Sequence, residues 1–365
     1  MLSDLGLGDV STRSAAVVAG GVLGLLFGLL AQRTRFCLRR GLVGPSDERR
    51  DALGTWLMAL AVATVGTGAL IVSGFVDFAG HRLMMAKLPV VAIVLGGLMF
   101  GVGMVLARGC ASRLTVLAGS GNLRALTALI VFAAVAHATM KGALAPVRTW
   151  LGGFTLDLGS TASLASLPGG VVFWTGVIAL AAGFAAVRLG ARPWLLAGGA
   201  AIGVLAPLGW WITGHALRDE FDPIPLESLA LTSAGADSLF WWVASSAIAP
   251  TFGVGLLAGV LAGSAIAAIA AREFAWEGFT EHTPTANYLL GAVLMGVGGV
   301  LAGGCTVGAG LSGIGSLSVA AILALAAIVG GALAMDRLRA LRMTAARDGR
   351  SRAGSLAIAA RAISL

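Results

Sequence analysis

Charge is scarce in this chain. Asp, Glu, Lys and Arg make up 12% of its 365 residues, against roughly a quarter in a water-soluble domain. With 58% hydrophobic residues and a mean hydropathy of +0.92, that shortage excludes an ordinary solvated surface and a soluble enzyme. Cysteine is nearly absent. Three residues, Cys37, Cys110 and Cys305, cannot build a disulfide framework, and an odd number leaves at least one thiol unpaired. Histidine is also rare, and His137 and His215 each stand alone on their segments, so neither a metal nor another cofactor is expected. The start of the chain lacks the basic patch of a cleavable signal: Asp4 and Asp9 oppose only Arg13, so the first apolar run is expected to be retained. The net charge of +8 comes from loops beside apolar runs and is not interleaved with aromatics, which argues against nucleic acid as a partner.

Long apolar runs are what the chain does have. A bilayer core offers no water to backbone groups, so runs near 20 residues must be helices, and the short alternating segments of a barrel are missing. The runs are 14–31, 52–75, 88–107, 123–140, 170–189, 194–214, 250–271, 287–303 and 317–335, about nine crossings. Glycine, with 54 residues, suits close helix packing and chain breaks within the membrane. Arginine in 31–51, around 190 and in the tail 336–365 points these segments to the cytoplasm, and the acids of 216–238 suit an outer loop. The N-terminus is then periplasmic and the C-terminus cytoplasmic, in a bacterial inner membrane. Loop 272–286 is the exception, being acidic where a basic loop is expected. No acidic residue sits deep in a span as an obvious proton carrier.

One segment is repeated. Gly101 to Cys110 reads GVGMVLARGC and Gly296 to Cys305 reads GVGGVLAGGC. Three apolar runs precede each copy and one follows it, so residues 1–140 and 194–337 form two units, 141–193 carries a linking span, and 338–365 is a basic tail. A single linking span reverses the second unit, which predicts inverted halves. After Cys110 comes a short piece ending at Gly119-Ser120-Gly121, and after Cys305 one ending at Gly313-Ile314-Gly315, each too short to span. The fold class is therefore an all-α integral membrane protein of two inverted repeats with broken, re-entrant helices and an hourglass-like interior. Such breaks are tolerated at membrane depth only where they line a cavity or lie buried in protein. Both thiols would meet near the midplane.

Arg108 and Arg113 flank Cys110 within the apolar belt, where a cation is costly, and are candidate anion attractors. Arg35, Arg39, Arg40, Arg49 and Arg50 read as orientation anchors, although Arg35, Arg39 and Arg40 also surround Cys37 at the cytoplasmic end. The pairs Trp210-Trp211 and Trp241-Trp242 read as interfacial belt residues, and Asn122 and Asn287 as helix starts.

Arg35-Phe36-Cys37, the glycine-rich run into Arg108-Gly109-Cys110-Ala111-Ser112, and Gly303-Gly304-Cys305-Thr306-Val307-Gly308 resemble the YeeE/YedE family of membrane proteins over roughly residues 14 to 337. The resemblance implies nine spans, a cysteine-lined constriction and transport of thiosulfate handed between thiols. It also implies a separate cytoplasmic sulfurtransferase of the TusA type as partner. The candidate substrate-binding residues are then Cys110, Cys305, Cys37, Arg108, Arg113, Gly109, Gly304 and Thr306, with no catalytic residue. Two alternatives stay open: transport of another sulfur or selenium species, and a membrane sulfurtransferase that carries a cysteine persulfide.

Overall fold

The computed structural model describes residues 11–219, 222–278 and 285–363, and in it every apolar run expected to cross the bilayer is a helix. Asp4, Asp9, Glu220 and Glu281, which entered the charge argument, lie outside the described residues. The helices are α1 (Thr12–Thr34), α2 (Leu38–Val43), α3 (Ser46–Val72), α4 (Val90–Leu106), α5 (Ala111–Gly119), α6 (Leu123–Lys141) and α7 (Ala145–Gly152). They continue as α8 (Gly170–Arg188), α9 (Pro193–Trp211), α10 (Leu231–Val243), α11 (Phe252–Ala270), α12 (Thr285–Leu301) and α13 (Val319–Ile363). The strand content described is one antiparallel ribbon that sets Lys87 opposite Asp157 and Leu88 opposite Leu156.

Local sequence sets the helix boundaries. Ser11 accepts the Ser14 amide at the head of α1, and Asn122 accepts the Ala125 amide at the head of α6, so each side chain satisfies a donor that the first helical turn leaves open. Pro193 opens α9, where its missing amide costs nothing. Among the described residues, eight helical stretches are long and apolar enough to cross a membrane, with α1 and α2 counted as one and α4 and α5 as one, and α12 is a shorter apolar helix. By themselves α4 and α12 have 17 residues each, about 25 Å of helix, which is less than the roughly 30 Å of a hydrocarbon core. Both lie at the short end of the range for a crossing.

Packing rests on backbones in direct contact. Along α1, Gly20, Gly24 and Gly28 lie on the carbonyls of Phe252, Leu256 and Val260 of α11, and along α11, Gly255, Gly259 and Gly263 lie on those of Val17, Gly21 and Leu25. A side chain at any of the six would collide with backbone, and the four-residue spacing keeps each set on one helix face. α3 packs on α9 as α11 packs on α1, α12 packs on α6 as α4 packs on α13, and α10 lies on α11 as α2 lies on α3. α4 and α12 also pack on each other, Gly96 against Gly298 and Gly103 against Gly291. α8 packs on α3, and most of its length faces outward.

One expectation needs correction. The segment 216–238, read as an outer loop, contains the start of α10, whose Leu231, Ala234 and Ala236 are buried against the bundle. At 13 residues, with Thr232, Ser233, Asp237 and Ser238 among them, α10 is too short and too polar to register as an apolar run. It is buried because α6 and α11 flank it.

Candidate functional site

A shared backbone device presents each of the three cysteines. Helix α1 ends at Arg35 (φ 50°), α4 at Arg108 (φ 56°) and α12 turns at Gly303 (φ 76°), each in the left-handed region and each two residues before a cysteine. The Phe36 amide bonds back to the Ala31 carbonyl and the Gly109 amide to the Met104 carbonyl, both at 3.0 Å, the closure that ends a helix and swings the chain aside. Arginine in this conformation costs about 1 kcal/mol relative to glycine. Cys37 and Cys110 then stand in extended backbone at the heads of α2 and α5. Cys305 precedes a π-helical turn, Gly308–Gly313, and its Sγ accepts the Gly308 amide at 3.4 Å. Gly304 is required here: a Cβ would stand 2.8 Å from the Ala309 amide nitrogen.

All three thiols are free and buried. The Cys37 and Cys110 side chains lie against each other, because the turn at Arg35 carries the chain back into the bundle. Ser112 Oγ lies 3.1 Å from Cys110 Sγ, and Thr306 is beside the same thiol. Cys305 has Thr232 beside it and is within electrostatic reach of Cys110. Thr232, near the head of α10, thus stands to Cys305 as Cys37, at the head of α2, stands to Cys110.

Among the buried donors around these thiols, Arg113 Nη1 has no hydrogen-bond partner, and the hydroxyls of Thr232 and Thr306 have only the thiols beside them. Unpartnered buried donors are rare in folded proteins and ask for an acceptor. Arg113, on α5, has its strongest charge neighbours in Cys37, Arg40, Arg35 and Cys110, and none of them is a carboxylate. Arg108 is exposed, and the structure does not bury it with the thiols.

Two cavities approach from opposite ends of the same helices. One, of about 700 Å³, is lined by His81, Lys141 at the end of α6, Glu227, and Gly308 and Ser312 of the π-helical turn next to Cys305. The other, of about 430 Å³, is lined by Arg35, Arg40, Asn122 at the start of α6, Glu273 and Arg113, next to Cys110. Its rim carries ion pairs, Arg40 with Glu48 at 2.7 Å and Arg35 with Glu273 at 3.8 Å.

Trp210 also departs from expectation. It is buried, donates its indole N–H to the Ser312 carbonyl at 3.3 Å and lines the larger cavity, so it is not a belt residue, whereas Trp242 is exposed. A proline inside α9, Pro207, and the π-helical stretch Ile212–Ala216 break the regular end of that helix around Trp210. Glu227, absent from the sequence-based candidates, is enclosed in the same wall; burial, reinforced by the charge of Asp237, pushes its carboxyl up to about 7. The only sequence signal for it was the cluster of acids in 216–238.

Comparison with known proteins gives a consistent result. A family model described as sulphur transport matches residues 33–334. The thiosulfate transporter TsuA of Escherichia coli (strain K12) is 28% identical over 317 residues, covering 81% of this chain and 86% of that protein. The thiosulfate transporter TsuA of Spirochaeta thermophila is 29% identical over 311 residues, covering 79% of this chain and 88% of that protein.

Proposed function

This chain belongs to the sulphur transport family, and on that premise we propose that it imports thiosulfate across the bacterial inner membrane through a constriction lined by Cys37, Cys110 and Cys305. One observation carries the reading. The two cavities enter from opposite ends and stop on either side of the buried thiols, one beside Cys305 and the other at Arg113 beside Cys110.

Thiosulfate has a soft terminal sulfur and three hard oxygens, and the surroundings divide the same way. The thiols face the soft sulfur as weak S–H donors, so the ion leaves each as readily as it arrives. Arg113 Nη1 and the hydroxyls of Thr232 and Thr306 are donors for the oxygens. The matched pairings of α1 with α11 and α9 with α3, and of α4 with α13 and α12 with α6, support two inverted halves, 1–140 and 194–337, joined by 141–193. The basic segment 31–51 and the tail face the cytoplasm in this reading, and the larger cavity opens outward. A cytoplasmic sulfurtransferase of the TusA type would draw the ion onward.

The test is radiolabelled thiosulfate flux into vesicles, together with thiosulfate-dependent growth. Cys110→Ala and Cys305→Ala are each expected to abolish both while the protein still inserts; full activity of both variants eliminates the relay. A sulfurtransferase would instead leave a stable cysteine adduct about 32 Da heavier after thiosulfate exposure, whereas transport proceeds without one. Competition by sulfite, sulfate and selenium compounds in the same vesicles separates thiosulfate from related substrates.

A further inference from the structure

We propose that a basic cavity beside the larger vestibule binds the headgroup of an anionic phospholipid. The cavity, of about 570 Å³, is lined by Arg82, Lys87, Lys141 and Arg148, and no carboxylate lines it. Among the described residues none of these four makes an ion pair. Asp157, across the ribbon from Lys87, turns its carboxylate to the Gly159 amide at 2.9 Å. Arg82 and Lys141 also face Glu227 and Asp237 of the adjoining cavity, so Lys87 and Arg148 carry most of the positive charge left for an anion.

The rest of the lining decides which anion. Ile93 near the head of α4, Leu301 at the end of α12 and Ala320 near the head of α13 give the cavity an apolar wall made from the ends of membrane-crossing helices. A small oxyanion gains nothing from such a wall, whereas a phospholipid places its phosphate among the cations and its glycerol and upper acyl carbons along it. α7 fixes the level of the cavity independently. It supplies Arg148 and Thr149 to the cavity, while Val147 and Trp150, and Phe154 just beyond its end, remain exposed, with the Trp150 and Phe154 rings packed edge to face at 5.4 Å. A short helix with a basic residue over the hollow and exposed aromatics belongs at the boundary between headgroups and acyl chains.

The site shares Arg82, Lys141 and Gly303 with the larger vestibule but contains none of the thiols, and the inference holds whatever ion the protein carries. Each Lys or Arg close to an anionic headgroup contributes about 1 kcal/mol, roughly fivefold in binding. Native mass spectrometry of the full chain in detergent, titrated with phosphatidylglycerol, phosphatidylcholine or inorganic phosphate, tests it. Wild-type protein is expected to retain phosphatidylglycerol at least about fivefold over phosphatidylcholine. The double variant Lys87→Ala, Arg148→Ala should retain the two lipids equally. The charge-preserving variant Lys87→Arg, Arg148→Lys should restore the preference, and Arg188→Ala on α8 should leave it intact. Equal retention in wild type, an unchanged preference in the double alanine variant, or displacement of phosphatidylglycerol by millimolar phosphate would each overturn the proposal.

Discussion

Glu227 offers the sharpest quantitative test of the larger vestibule. Its backbone is pinned to the end of α9, because its amide donates to Thr213 Oγ1 at 3.1 Å and the Thr213 hydroxyl donates to its carbonyl at 2.7 Å. The charged and titratable groups sharing its cavities are Asp77, His81, Arg82, Lys141 and Asp237 on one side and Arg13 on the other. Burial holds His81 near 4, so it stays neutral across the relevant range. Burial first, then Asp237, raises Glu227 from 4.5 to about 7, with Arg82 opposing. Between those values the folded protein keeps a proton that the unfolded chain releases. Stability therefore falls as pH rises through this window, by on the order of 3 kcal/mol, and levels off above it. Transport should follow the same titration. A dianion about 10 Å from a newly charged carboxylate in water is disfavoured by roughly 0.8 kcal/mol, about fourfold in occupancy. Thiosulfate uptake into proteoliposomes, with pH varied on the side of the larger cavity alone, should drop about threefold between pH 6 and 8. Glu227→Gln should stay at the pH 6 level throughout. A flat wild-type profile, or a Gln variant that keeps the full drop, would refute this role for Glu227.

Other expectations concern the constriction and the packing. Arg113→Gln should raise the half-saturation concentration for thiosulfate tenfold or more, the worth of about one charged hydrogen bond, with Arg113→Lys intermediate; unchanged flux kinetics would remove Arg113 from the path. Because Thr232 stands to Cys305 as Cys37 stands to Cys110, Cys37→Thr should keep more flux than Cys37→Leu, and equal loss in both would deny the equivalence. Gly24→Ala drives a methyl into the Leu256 carbonyl and should cost roughly 1–3 kcal/mol. Thermal unfolding in detergent should show a lower midpoint for it, whereas Gly278→Ala, where a Cβ meets nothing within 4 Å, should not shift.

Much of this architecture was legible before any coordinates. The nine apolar runs lie where α1, α3, α4, α6, α8, α9, α11, α12 and α13 lie, because a bilayer imposes a length and composition that can be read residue by residue. The breaks before Cys110 and Cys305 were visible for a similar reason: a glycine-rich motif repeated at two distant places marks equivalent backbone turns. α10 was missed because a short polar helix between others has no such length requirement. Glu227 was missed because its surroundings come from neighbours ten or more residues away, such as Thr213 and Asp237.

The amino-acid sequence alone determined a multi-span helical protein with at least one unpaired thiol, in which two copies of one glycine-rich motif each end an apolar run at a cysteine. Tertiary structure alone decided that Cys37 is buried against Cys110, that Thr232 takes the matching place beside Cys305, and that Arg113 rather than Arg108 turns inward. The physical reason is the left-handed turn at each helix end. It re-aims the chain by an amount that no pattern of apolar residues encodes, and only helices already packed through bare glycine contacts fix where the next side chains meet.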